Sequence, residues 1–153
     1  MKRVQFPSGS KPFMLRVSPN GQEVWVQATA ANTNTILDAA TLAVKASTVD
    51  GLSPVTNAWS PDGQYVLVTH EGDATVSVYS ARSGSVVARV DLGGDGANIG
   101  FTPDSRTAFV AVTSANSMAV IDLQALSVTA HVPTGQWPSG LIYFPPPLVQ
   151  SGA

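Results

Sequence analysis

The stretch Ser60-Pro61-Asp62-Gly63-Gln64-Tyr65-Val66-Leu67-Val68-Thr69 joins a four-residue turn to a run of strand-forming side chains. Proline presets φ for the second turn position, Asp bonds the local backbone, and Gly supplies the positive φ that re-enters a strand. The run that follows is nearly continuous in apolar residues, which predicts an interior strand covered on both faces. The same unit stands 42 residues earlier, as Ser18-Pro19-Asn20-Gly21 before Glu23-Val24-Trp25-Val26-Gln27. It stands again 42 residues later, as Thr102-Pro103-Asp104-Ser105 before Thr107-Ala108-Phe109-Val110-Ala111-Val112. A turn that recurs at a fixed interval is a structural hairpin, not a fragment of a catalytic triad.

The 42-residue register runs through the chain without a gap. A second marker is glycine at Gly9, Gly51, Gly93 and Gly135, each followed three residues on by Pro12, Pro54, Gly96 or Pro138. Self-similarity at this period signals a repeat architecture whose units are single supersecondary motifs. Between markers each copy reads as four short strands, a to d. Strand a carries Val17, Trp59, Phe101 and Tyr143 in one column. Strand b is the run after the turn. Strand c places Ile36, Val78 and Val120 in one column and ends at Asp38 and Asp122, which suit the c to d turn. Strand d is more polar, so burial is expected to fall from a to d. The units are expected over residues 9–50, 51–92 and 93–134, with an extra strand d at 3–7 and an extra strand a at 140–144.

Composition bounds the function. The 153 residues are 44% hydrophobic and 12% charged, enough for one folded domain with a sizeable core. Net charge is −2 and the eight Lys and Arg are scattered, so no basic stripe offers itself to nucleic acid. The absence of cysteine excludes disulfides, Cys-zinc sites and thiol nucleophiles. Lys2 and Arg3 are followed by Pro7 and polar residues rather than an apolar stretch, so no signal peptide is read there, and no apolar run reaches the length of a membrane span.

The run Ser60 to Gly72 followed by Thr75-Val76-Ser77-Val78-Tyr79 resembles the YVTN β-propeller repeat. The family's name motif falls on Leu67-Val68-Thr69-His70, with Trp25-Val26-Gln27-Ala28 and Phe109-Val110-Ala111-Val112 as degenerate copies. The resemblance covers nearly the whole chain and implies an all-β fold of four-stranded antiparallel blades packed radially, strand a at a central channel and strand d outside. It also implies a periplasmic or cell-surface setting. Similar blades occur in seven-bladed lactonases, haem d1 propellers and surface proteins, so the motif specifies the fold and leaves the activity open.

A closed propeller uses 4 to 8 blades, whereas three are complete here. The expected total of fourteen strands would double to the content of seven blades in two chains. A two-fold dimer would nevertheless give six whole blades and two incomplete seams. The expectation is therefore a partial propeller that closes by homo-oligomerisation, as a dimer in the simplest case, or forms part of a longer propeller. At Tyr143-Phe144-Pro145 a further strand a and turn begin in register, and Pro146 and Pro147 then replace the residues that complete the hairpin. That wall of prolines reads as the place where the repeat stops.

Candidate site residues lie in the d to a and b to c loops, which in propellers open at the channel mouth. His70 and Glu71, with Asp73 beside them, are the densest ionisable cluster; a solvated loop in which His70 stands for a turn-forming Asn is the plainer reading. Asp95 and Trp137 occupy matching positions of later loops, and Trp137 would stack a ligand, anchor a partner or pack under a blade. Arg16 stands where Ala58, Gly100 and Ile142 hold small or apolar side chains, so it either meets an anion in the channel or reaches solvent. No catalytic set, metal site or cofactor is expected. The function expected is a non-enzymatic binding and assembly scaffold that self-associates, with protein or small-molecule ligands as partners. The alternative is a piece of a lactonase-like or haem d1-like enzyme acting at the channel mouth.

Overall fold

The computed structural model describes residues 2–141. Twelve strands follow one another in chain order: β1 (Pro12–Val17), β2 (Glu23–Ala28), β3 (Thr33–Asp38), β4 (Val44–Val49), β5 (Pro54–Trp59), β6 (Tyr65–His70), β7 (Thr75–Ser80), β8 (Val86–Asp91), β9 (Gly96–Phe101), β10 (Thr107–Val112), β11 (Ser117–Asp122) and β12 (Ser127–Pro133). They form three antiparallel meanders, β1-β2-β3-β4, β5-β6-β7-β8 and β9-β10-β11-β12. Strands β1, β5 and β9 lie side by side, and each sheet packs face to face on the next. This is a partial β-propeller of three blades.

Turn chemistry makes the blades alike. In the β1–β2 turn, Ser18 Oγ donates to Asn20 Oδ1 at 2.6 Å and accepts from the Glu23 amide at 2.9 Å. Ser60 with Asp62 and Thr102 with Asp104 repeat the pattern. Gly21 and Gly63 close their turns at φ 71° and 70°, and Ser105 is held at φ 58° in the third copy. At the other hairpin, Asp38 accepts from the Thr41 amide and hydroxyl, each at 2.7 Å, and Asp122 accepts from the Gln124 and Ala125 amides at 2.7 and 2.8 Å. A one-residue register shift recurs between the first and second strands and between the third and fourth strands of every blade. Such bulges deepen the local twist.

The core sits between blades. Leu67, Val76, Val78 and Leu92 of the second blade meet Val110, Val112 and Ile121 of the third. Trp25 and Ile36 of the first blade meet Val66, Val68 and Tyr79 of the second. Trp25 is fully buried, with its ring edge-on to Trp59 at 5.6 Å and to Tyr79 at 5.2 Å.

Burial does not fall from a to d as expected. It peaks in the two middle strands, β2–β3, β6–β7 and β10–β11, because those are covered by neighbouring blades. The inner strand β1 is largely exposed, having no blade against its first face. Residues 3–7 form no strand; Val4 and Phe6 are half-buried and Lys2 Nζ donates to Ala40 O, so this segment lies along the first blade without a ladder partner. Most of the expected strand at 140–144, and the proline run after it, lie outside the described residues.

Candidate functional site

The ionisable residues that the fold gathers most closely lie at the joint between the first and second blades. Asp50, just after β4, is buried and accepts from the Tyr79 hydroxyl at 2.8 Å and from the Arg89 guanidinium. The same hydroxyl accepts from Asn34 Nδ2 at 2.7 Å. Nearer the channel, Asn57 Nδ2 donates to Gln27 Oε1 at 2.6 Å. The first blade thus contributes Gln27, Asn34 and Asp50, and the second contributes Asn57, Tyr79 and Arg89. Burial together with the Asp50 carboxylate raises the Tyr79 pKa well above the usual phenol range, which keeps its hydroxyl a donor.

His70 ends β6 in this joint and is fully buried, not solvated. Its ring covers Gly51, where a Cβ would come within 2.4 Å of it. Thr75 Oγ1 donates to Asp73 Oδ1 at 2.8 Å and lies 3.3 Å from His70 Nδ1, so its one proton is committed and His70 Nδ1 carries the donor. Nε2 lies 3.9 Å from Asp50 Oδ2, beyond hydrogen-bond range. Burial holds the imidazole pKa below its ordinary value, against the opposing pull of Asp50 and Asp73. Neutral His70 therefore packs the joint.

The remaining candidates separate. Glu71 turns outward to solvent, with its amide bonded to Ser53 O at 3.1 Å. Asp95 lies in the next loop, tied through its backbone to Thr113 and Ser114. Trp137 is 72% exposed and its amide donates to Asn116 Oδ1 at 3.0 Å, as the Ser53 amide does to Asn32 Oδ1 two repeats earlier. Arg16 is exposed and lines a groove of about 370 Å³ between the inner strands, with Ala58, Trp59, Gly100 and Phe101. No hydrogen bond or ion pair links Arg16, His70, Glu71, Asp95 and Trp137 to one another among the described residues. A larger groove of about 750 Å³, which shares Trp59 with the Arg16 groove, lies at the turn end and is lined by Gln22, Gln64, Tyr65 and Arg82. No group of three His, Cys, Asp or Glu among the described residues is placed to hold a metal, and no helix there is long and apolar enough to cross a membrane.

Sequence reasoning missed Asn34, Asp50, Tyr79 and Arg89. Part of their signal was present in the repeat register: Asn34 stands where Val76 and Met118 stand and Tyr79 where Leu37 and Ile121 do, whereas Asp50 shares its column with Leu92 and Thr134, and Arg89 with Ser47 and His131. A polar residue in a column otherwise apolar marks a buried polar contact.

No family model matches the chain, and no curated protein is similar to it in sequence. Solved structures share its fold. It is similar to hydrazine synthase of Kuenenia stuttgartiensis, with 23% identity and a TM-score of 0.79 over 87% of this chain and 40% of that one. The periplasmic gluconolactonase PpgL of Pseudomonas aeruginosa is 21% identical, with a TM-score of 0.74 over 90% of this chain and 43% of that one. A Lactobacillus plantarum protein is 19% identical, with a TM-score of 0.72 over 84% of this chain and 44% of that one. The chain therefore spans less than half the length of the structures it matches.

Proposed function

We propose that this chain is a non-enzymatic scaffold, an arc of YVTN-like blades that completes a propeller ring by associating with a second copy of itself. The observation that carries this reading is the open face of β1. Leu15 and Val17 are 57% and 54% exposed, and they pair in register with Val26 and Val24, on the face turned away from the second blade. The equivalent residues of β5, Asn57 and Trp59, are the ones that pack against the first blade. An apolar inner strand at an interface position calls for a blade against it.

The blade offered by a second copy is the third. Its outward face carries Phe109, Met118 and Val120, all half-buried, and no charge stands at the positions where the first joint is polar. Head-to-tail joining would bury apolar surface on both sides and turn the channel-mouth loops, with Glu71, Asp95 and Trp137, into one rim for a protein or small-molecule ligand. An enzymatic reading is weaker, because the closest His and Asp pair, His70 and Asp50, is sealed between blades where no substrate reaches.

Analytical ultracentrifugation at micromolar concentration tests this reading. A dimer or larger closed species is expected, and Leu15→Lys with Val17→Lys should return it to monomer. A wild-type chain that stays monomeric would refute self-association.

A further inference from the structure

Each blade presents one face to its predecessor and one to its successor, and the 42-residue register allows the faces to be compared position by position. Toward its successor the first blade presents Gln27, Asn34 and Asp50. The second blade presents Thr69, Val76 and Leu92 there, and the third Ala111, Met118 and Thr134. Toward its predecessor the second blade presents Asn57, His70, Tyr79 and Arg89. The first presents Leu15, Ala28, Leu37 and Ser47 there, and the third Ile99, Val112, Ile121 and His131.

Only at the first joint do side chains of the two faces hydrogen-bond to each other; at the second, Thr69 Oγ1 donates to the backbone carbonyl of Ala97. At the first joint Gln27 meets Asn57, Asn34 meets Tyr79, and Asp50 meets Tyr79 and Arg89. At the second joint Val76 and Leu92 meet Ile121 within one apolar cluster. Asp50 and Asn34 have 3% and 0% of their surface exposed, so neither could turn to water if the facing blade lacked their partners. A buried carboxylate without its donors is among the costliest defects a protein can carry.

We propose that this polar set is a recognition surface that fixes blade order: the outward face of the first blade accepts only a blade bearing a Tyr, Arg and Asn set like that of the second. The remaining faces carry no carboxylate, so the same code leaves the third blade free to receive an apolar face such as that of the first. The inference holds however the ring is completed, whether by a second copy or by further blades.

Because all blades share one repeat length, residues 9–50 and 51–92 can be exchanged in the intact chain without altering loop lengths. In that order Asp50 would face Ile121 and His131. The exchanged chain is expected to have a lower urea midpoint than the native one. Adding Gln27→Thr, Asn34→Val and Asp50→Leu, which copy the second blade's outward face, should raise the midpoint of the exchanged chain. The same three substitutions in native order should lower it, since Tyr79 and Arg89 lose their acceptor. Reversal of sign between the two orders is the expected result. A same-sign effect in both, an exchanged chain as stable as the native one, or failure of the exchanged chain to fold even with the three substitutions would overturn the inference.

Discussion

Replacing Tyr79 with Phe removes one oxygen and nothing else. The ring keeps its edge-on contact with Trp25 at 5.2 Å, so packing is preserved. The lost hydroxyl donates to Asp50 Oδ2 at 2.8 Å and accepts from Asn34 Nδ2 at 2.7 Å. A hydrogen bond to a charged group contributes about 1.5–3 kcal/mol, and a buried donor left without a partner costs about 1–3 kcal/mol. Because the two losses share one atom they overlap, and we expect a destabilisation of about 3 kcal/mol. For a chain of this size each kcal/mol lowers Tm by about 2–4 °C, so the shift is about 6–12 °C. Urea denaturation followed by tryptophan fluorescence measures it, with an unchanged m value showing that compactness is retained. Tyr79→Ile, which installs the residue found at position 121, should cost more because it also forfeits the ring. A loss below about 0.5 kcal/mol for Tyr79→Phe, the range of ordinary surface changes, would refute the claim that this hydroxyl bridges the joint.

Four further outcomes follow from the same geometry. Gly51→Ala places a Cβ 2.4 Å from a buried imidazole and strains a φ of 65°, so it should cost roughly 2–4 kcal/mol in urea titration. Gly63→Ala, at φ 70° but with nothing within 4 Å, should cost only about 1–2 kcal/mol. Ala74 holds φ 56° where Asn32 and Asn116 sit in the matching loops, so Ala74→Asn should raise thermal stability by about 0.5–1 kcal/mol. Burial depresses the His70 pKa in the fold, so the unfolded chain binds more protons and stability declines as pH drops below about 6.5. His70→Met should flatten that decline between pH 6.5 and 5.5, and equal slopes in wild type and variant would count against a neutral buried imidazole.

His70 shows why the site was less legible than the fold. Its own neighbours in sequence, Glu71, Gly72 and Asp73, are polar or small and read as a loop. What buries it is Gly51 beneath the ring and Asp50 beside it, both supplied by the connection between blades. Arg16 is similar: its register position was readable, but its groove exists only because β1, β5 and β9 lie side by side. The unpaired segment 3–7 fits a strand pattern, yet a strand without a neighbour has no ladder to join.

Determined by the sequence alone were the repeat, the turn that opens each second strand, the four-strand unit and the all-β class. Those depend on interactions within a few residues, such as Ser60 Oγ with Asp62 and the Tyr65 amide, or on alternation along one strand. The tertiary structure decided which faces meet and what lies between them. Asn34 and Tyr79 are 45 residues apart and Asp50 and Arg89 are 39 apart, distances at which no local preference acts. Only the stacking of whole blades brings them together, and the cost of leaving a buried carboxylate unpaired makes that meeting specific.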